Sequence, residues 1–305
     1  MRLAFVFPGQ GSYRPGCLDA WDQHAAAAVI DEVADAIGRD VRALAADAGT
    51  GARTADAQPT IMTASLVAWR ALTDAGVTPD VVAGHSLGEA TAAIAAGALP
   101  VADGARVVAA RGAAMGRACA ANPGGMAALV KLQPDAVQVL VDEDPDLVIA
   151  NDNAPGQVVL AGTPEAVTRI RDRAREAGGR ALPLDVEGAF HSPAMAPAVD
   201  ALAQALAEVA VQDPQVPLVT GTTTEVLRTG TAVRDALVDG ILAPVRWREL
   251  QGRLAELGVT DLVEVGPGGV LAGLAKRTVP DLAIHTVATP EDVATVAERF
   301  AGARA

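Results

Sequence analysis

The chain has 305 residues, half of them hydrophobic, and carries a formal net charge of −13. That is enough apolar material for one large core, or for a large domain carrying a smaller one, while the acidic balance argues against nucleic acid as a partner. A run of about 18 uninterrupted apolar residues is absent, which argues against a membrane span, and two cysteines, Cys17 and Cys119, supply neither a disulfide framework nor a metal-binding spacing.

Short apolar runs alternate along the chain with amphipathic or alanine-rich segments, the pattern of an α/β fold. The opening segment Met1–Phe7 is apolar, ends at Pro8-Gly9 and is too short for a signal peptide. It reads as the first buried strand of a cytoplasmic protein. Strands are expected over 2–7, 80–84, 126–131, 147–150, 157–161, 181–185, 216–220 and 261–265. Helices are expected near 23–36, 60–75, 87–97, 102–119, 134–141, 164–177, 194–209, 230–239 and 246–256. After Asn122-Pro123-Gly124-Gly125 the expected order is strand, helix, strand, strand, helix, strand, ending near residue 186. That order suits a small ferredoxin-like subdomain (122–187) inserted into a large α/β domain made of 1–121 and 188–305.

Residues 84–89 read Gly-His-Ser-Leu-Gly-Glu, directly after Val81-Val82-Ala83 and directly before an alanine-rich run. A buried strand, a serine on a sharp turn and then a helix make a nucleophile elbow of the α/β-hydrolase type. Serines are few (Ser12, Ser65, Ser86, Ser192), so a chance Gly-x-Ser-x-Gly in this setting is rare. The elbow makes Ser86 the candidate nucleophile and puts the Leu87 amide at a helix N-terminus, aimed at a developing oxyanion. Phe7-Pro8-Gly9-Gln10-Gly11-Ser12 leaves a strand through a glycine-rich turn, where the Gln10 amide could supply the second oxyanion donor.

A serine nucleophile needs a base, which in elbow folds follows it in sequence. His191, in the loop Gly188–Pro193, is preferred to His285, which sits in the alternating segment Ala283–Val287 and suits a strand face. The four histidines (His24, His85, His191, His285) form no metal-binding cluster, so no metal is expected.

Six motifs in order resemble the malonyl-CoA:acyl carrier protein transacylase family, which spans fatty-acid enzymes and polyketide acyltransferases. They are Phe-Pro-Gly-Gln-Gly-Ser at 7–12, Gly-His-Ser-Leu-Gly-Glu at 84–89, Arg111-Gly112, Pro155–Val159, Ala189–Ser192 and Glu264–Gly268. The resemblance implies Ser86 as acyl-enzyme nucleophile, His191 as base and the Gln10 and Leu87 amides as oxyanion donors. It implies Arg111 as the partner of a free malonyl carboxylate, a task for which a planar guanidinium is suited. Gln58, His85 and Asn153 match pocket-lining positions, and Phe190 resembles the bulky residue of malonyl-selective members. The family orients its histidine with a backbone carbonyl, which maps here to Gly240. Tyr13 and the segment Thr220–Thr224 depart from the family pattern.

The resemblance implies acyl carrier protein as partner, malonyl-CoA as substrate and no dissociable cofactor, coenzyme A being itself a substrate. Acyl carrier proteins are acidic, so recognition by an acidic enzyme calls for a local basic patch. One candidate is Arg169, Arg171, Arg173 and Arg175 with Arg180 beyond; Arg246, Arg248, Lys276 and Arg277 form another. Alternatives are transfer of a different acyl group or carrier-to-carrier transfer in specialised metabolism, a malonate-decarboxylase transacylase subunit, a carrier thioester hydrolase, and a non-catalytic docking protein. Glu89 fits the fatty-acid and polyketide enzymes better than the decarboxylase subunit.

Overall fold

A computed structural model of the chain describes residues 2–300; the expected domain limits at Met1 and 301–305 lie outside them. The first half runs through β1 (Leu3–Phe7), α1 (Ala28–Ile37), α2 (Val41–Ala46), α3 (Thr54–Asp74), β2 (Val81–Gly84), α4 (Leu87–Ala95) and α5 (Val101–Ala121). A second group follows: β3 (Gly125–Val130), α6 (Pro134–Asp142), β4 (Leu147–Ala154), β5 (Gln157–Gly162), α7 (Pro164–Glu176) and β6 (Arg180–Pro183). The chain continues with α8 (Ala196–Ala207), β7 (Leu218–Val219), β8 (Val226–Leu227), α9 (Gly230–Asp239) and α10 (Trp247–Glu256). It closes with β9 (Asp261–Val265), α11 (Val270–Thr278), β10 (Ala283–Val287) and α12 (Pro290–Phe300). The fold is thus mixed α/β.

One sheet has the order β10-β9-β1-β2-β7-β8, parallel except between β7 and β8. Every residue of β1, β2 and β9 is buried, as expected of parallel strands with helices on both faces. The loops after β1, β2 and β9 leave the carboxyl ends of three adjacent strands, where open α/β sheets gather their ligands. The other sheet has the order β4-β5-β3-β6 and is antiparallel throughout. Alternate residues of β3 divide between two environments, as the two-residue strand period requires. Ala127 and Leu129 join Leu160 and Ile170 in a cluster under α6 and α7, whereas Met126 and Ala128 join the main core. β4 is stitched to the segment before α10 by Asp152 N–H to Val245 O and Val245 N–H to Ala150 O, both 2.9 Å.

Two departures from the expected elements have physical causes. Helix α3 begins at Thr54, six residues before the expected 60, and carries Pro59 in its interior. Proline cannot donate to the carbonyl four residues earlier; the Arg39 guanidinium donates to that Ala55 carbonyl instead, at 2.9 Å. Helix α11 follows a glycine-rich loop that reads as irregular, and its start is fixed by the buried Glu264 carboxylate, which accepts Ala272 N–H at 2.8 Å. Among the described residues no helix is long and apolar enough to cross a membrane.

Candidate active site

Ser86 sits between β2 and α4 with φ 54° and ψ −108°, outside the regions non-glycine residues prefer. Such a conformation costs about 1–3 kcal/mol and persists only where the surroundings impose it. Here the flanking glycines allow it. A Cβ on Gly84 would lie 1.9 Å from the Gly88 carbonyl, and one on Gly88 would lie 1.9 Å from the Phe7 carbonyl oxygen. Any side chain at either position would force the strand, the turn and the helix apart. Leu87 is the first residue of α4, and Gln10 the first residue of a short 3-10 turn after β1. Amides at such positions have no intrahelical partner; Leu87 directly follows the serine, and Gln10 lines the same cavity as Ser86.

The serine hydroxyl donates to His191 Nε2 at 2.8 Å. His191 is itself in the left-handed region, at φ 56°. Its Nδ1 donates to the Ala243 carbonyl at 3.0 Å, which fixes the tautomer and leaves Nε2 free to accept. The expected acceptor was Gly240. Ala243 replaces it because α9 ends at Asp239 and the turn that follows presents its later carbonyl to the ring; the Gly240 carbonyl stays close enough to favour the charged imidazole as well. Burial, then the Arg111 cation with a smaller contribution from the neighbouring His85 site, pushes His191 down to about 3, so the ring is neutral at physiological pH. His285 lies elsewhere, on β10 beside Asp261 and edge-on to Phe300.

Arg111 projects from α5 and is 5 % exposed. Its Nη1 donates to Gln58 Oε1 at 2.7 Å and its Nη2 to Ser86 Oγ at 3.3 Å. The Gln58 amide is turned the right way by its other end, which donates to Met115 Sδ at 3.4 Å. α5 can bring Arg111 this close to α3 because Gly112 leaves no Cβ to strike Thr54 O, which would be 2.9 Å away. Burial lowers Arg111 to about 10, partly offset by Glu89, and the side chain keeps its charge.

On the cavity side of Ser86, His85 Nε2 donates to Asn153 Oδ1 at 2.8 Å while its ring meets Trp247 edge-on. Burial lowers His85, keeping it neutral. A cavity of about 220 Å³ opens above Ser86 and His191, walled by Gln10, Met126, Asn153, Leu184, Phe190 and Val270 among others. The loops after β1 and β2, the four-stranded sheet and α11 all contribute to it. A second void of about 10 Å³ lies on the other side, among Ser86, Glu89, Arg111, His191 and Thr222. The site therefore brings together Ser86, a neutral imidazole that accepts from its hydroxyl, the helix-start residues Gln10 and Leu87, and a buried arginine bonded to the serine oxygen.

Several residues around this site were not singled out as site residues from sequence. Glu89 is buried and accepts from Thr220 Oγ1 at 2.6 Å and Gly221 N–H at 2.9 Å. The departure at Thr220–Thr224 was the only signal for the first of these contacts. Tyr13, the other departure, caps the C-terminal turn of α2 through its hydroxyl, which donates to Ala45 O at 3.0 Å.

The expected basic patch divides. Arg169 pairs with Asp144 at 3.0 Å and Asp146 at 3.2 Å, and Arg173 with Glu143 at 2.6 Å. Their charge is spent on the turn between α6 and β4, because three acids converge on two arginines there. Arg175 pairs with Asp172, Arg246 with Glu249 and Arg248 with Asp152; Arg171 and Arg180 are exposed. Lys276 and Arg277 are exposed on α11, the helix that carries cavity-lining Val270 and Leu274, and Arg277 donates to Gln157 at the same cavity.

A strand-turn-helix serine, a histidine held by a backbone carbonyl and a buried arginine define an acyl-group-handling site, and the chain belongs to the acyl transferase domain family, whose model matches residues 4–300. Among curated proteins it is 36% identical over 301 residues to a malonyl CoA-acyl carrier protein transacylase of Bacillus subtilis, covering 96% of this chain and 95% of that one. Among solved structures it is similar to an acyl-carrier-protein S-malonyltransferase of Burkholderia pseudomallei, with 40% identity and a TM-score of 0.93 over 98% of this chain and 100% of that one. A malonyl-transacylase in complex with a type II polyketide synthase acyl carrier protein matches at 35% identity and a TM-score of 0.93, again over 98% and 100%.

Proposed function

We propose that this protein transfers a malonyl group from coenzyme A to the phosphopantetheine thiol of an acyl carrier protein through an acyl-enzyme on Ser86. The observation that carries the reading is the buried Arg111, which donates to the nucleophile's own oxygen and so stands where the free carboxylate of a Ser86-bound half-ester would reach. In the first half-reaction the Ser86 oxygen attacks the thioester carbon and its proton passes to His191 Nε2. The Gln10 and Leu87 amides stabilise the oxyanion. The thiol leaves with the proton from His191, and the carrier thiol then enters by the same steps in reverse. Coenzyme A is a substrate here, and the chemistry requires no resident cofactor.

Arg111 also weighs against a thioester hydrolase, for which a buried cation has no use. Phe190, buried at the cavity wall, leaves less room for an α-branched acyl group, and one methyl is worth about 1–3 kcal/mol in such a pocket. For the carrier protein we favour Lys276 and Arg277 over Arg169 and Arg173, because only the former pair lies on an element lining the cavity. We read 122–187 as a ferredoxin-like subdomain inserted in an α/β-hydrolase-like domain of 1–121 and 188–305. The strand order β4-β5-β3-β6 and the separate apolar cluster under α6 and α7 support that division. The free cysteines Cys17 and Cys119 suit a reducing, cytoplasmic setting.

Intact-mass measurement after mixing with malonyl-, methylmalonyl- and acetyl-CoA tests the reading. A malonyl adduct lost in Ser86→Ala, and passed on to an added carrier protein, is expected. Rapid release of free malonate without an acceptor would favour a hydrolase instead.

A further inference from the structure

Glu89 is an acid that the steps above do not use. It lies in the first turn of α4, three residues past Ser86, and is 6 % exposed. Both its oxygens are held by neutral donors, Thr220 Oγ1 and Gly221 N–H. Thr220 Oγ1 lies in turn 3.1 Å from Thr222 Oγ1, and either hydroxyl of that pair can donate. The relay serves both forms of the acid: Thr220 donates to a carboxylate, or accepts from a carboxylic acid and donates onward to Thr222.

Glu89, Thr222 and Arg111 wall the same void beneath Ser86. At about 10 Å³ it holds roughly one water, so an acyl carboxylate that reaches Arg111 from Ser86 takes up that space and stands with Glu89 close by. The charged or titratable groups facing Glu89 there are Arg111 from α5 and His191 from its loop. α9 contributes only Ala236 and Leu237, the 220–222 segment only hydroxyls and an amide, and the end of β2 only Gly84. A second carboxylate in so small a space raises the proton affinity of the first.

We propose that Glu89 is the counter-charge that Arg111 exchanges for the carboxylate of the incoming acyl group, so that one proton is taken up from solvent at Glu89 as a half-ester loads. The proposal rests on the malonyl reading and adds a determinant of acyl selectivity to it. With Glu89 ionised, the void is already neutral, and an uncharged acyl group enters without stranding Arg111. With Glu89 protonated, only a carboxylate balances the buried cation. Burial raises Glu89 to about 7, against the opposing pull of its hydrogen bonds and Arg111. The acid is therefore protonated below that pH and ionised above it. Preference for malonyl over acetyl falls as pH rises through this range, by up to about tenfold per unit. His191, neutral down to about 3, does not titrate in the window.

Two measurements test this. Calorimetry of malonyl-CoA binding to Ser86→Ala protein at pH 8, in phosphate and in Tris, reads proton uptake directly. Close to one proton is expected, near zero with acetyl-CoA, and near zero when Glu89→Gln is added. The ratio of malonyl to acetyl labelling of Ser86 by intact mass, from pH 6 to 8.5, is expected to fall in the unaltered enzyme and to stay flat in Glu89→Gln. Thr220→Val, which removes a donor to the carboxylate, should move the inflection to higher pH. Uptake unchanged by Glu89→Gln, or a labelling ratio independent of pH in the unaltered enzyme, overturns the proposal. Absence of any Ser86 malonyl adduct would instead overturn the reading beneath it.

Discussion

Arg111 on α5 and Arg169 on α7 both stand on helices of mixed polarity, yet the fold surrounds them with opposite company. Arg111 is buried among an amide oxygen, a serine hydroxyl and a void. Arg169 has a side chain 47% exposed and two carboxylates already on it. A cation held by neutral acceptors beside empty space is available to a ligand; one held by carboxylates is already neutralised. Accessibility to solvent alone would have ranked the two in reverse order, because what decides is whether a carboxylate is bonded directly to the cation, as on Arg169, or stands across a void from it, as Glu89 does from Arg111.

The largest expected effect follows from the buried member of this pair. Arg111→Ala removes the only charge-assisted donor we assign to the half-ester carboxylate, an interaction worth about 3–5 kcal/mol when broken from one side in a buried site. We expect kcat/KM for malonyl-CoA to fall by two orders of magnitude or more, with acetyl-CoA affected far less. Arg111→Lys should recover little, since a point charge lacks the planar fork that bonds Gln58 and Ser86 together. Steady-state kinetics with both thioesters check this, and an equal loss for the two would remove Arg111 from acyl recognition.

Arg248 falls between the extremes. It grips Asp152 of β4 with contacts of 2.6 to 3.0 Å, and the adjacent backbone pairs β4 with Val245. Two residues earlier is Ala243, whose carbonyl orients His191. Loosening the clamp frees that carbonyl, so Asp152→Ala should lower kcat by about tenfold, an effect of roughly 1.4 kcal/mol. KM for malonyl-CoA should hardly move, because neither Arg111 nor Gln58 is touched. A rise in KM with kcat unchanged would mean the clamp shapes the cavity and not the base.

The same contrast explains what could be read from the chain beforehand. The elbow is legible because its geometry is dictated locally, by glycines two residues either side of Ser86. The repeating order of strands and helices in 122–187 is likewise a local pattern. Arg111 became distinguishable from other helical arginines only through the ordered motifs around it, for its acceptor Gln58 lies 53 positions away. The Glu89–Thr220 contact spans 131 positions and the His191–Ala243 contact 52, and no local periodicity reports such pairings. The same holds for α11, whose start depends on a carboxylate at the end of β9, and for α3, whose Pro59 is tolerated because a distant Arg39 takes over the vacated carbonyl.

On the carrier side, Lys276→Glu with Arg277→Glu should raise KM for the carrier protein several-fold and steepen at low salt, as rim charges do, leaving malonyl loading of Ser86 alone. Arg277→Glu by itself also removes the contact to Gln157, so the single Lys276→Glu variant isolates the charge. No salt dependence in the difference between variant and unaltered enzyme would exclude this face.

The smallest kinetic effect belongs to Arg169→Glu with Arg173→Glu. Because both side chains are committed to Glu143, Asp144 and Asp146, their reversal should leave the carrier KM unchanged; a clear rise would reinstate them as a docking surface. Their loss should show in stability instead. Arg169 and its neighbours hold the Asp144 carboxyl below its ordinary range, so in the folded protein this acid binds fewer protons than in the unfolded chain. Such a group stabilises the fold above its unfolded pKa, near 4, and the benefit disappears as pH falls through the folded value. Thermal melts of Arg169→Ala should therefore lie below those of the unaltered protein at neutral pH, and the two curves should converge on acidification below about 4. A gap that persisted at low pH would mean that the arginine stabilises α7 by packing its stem and not by pairing its charge.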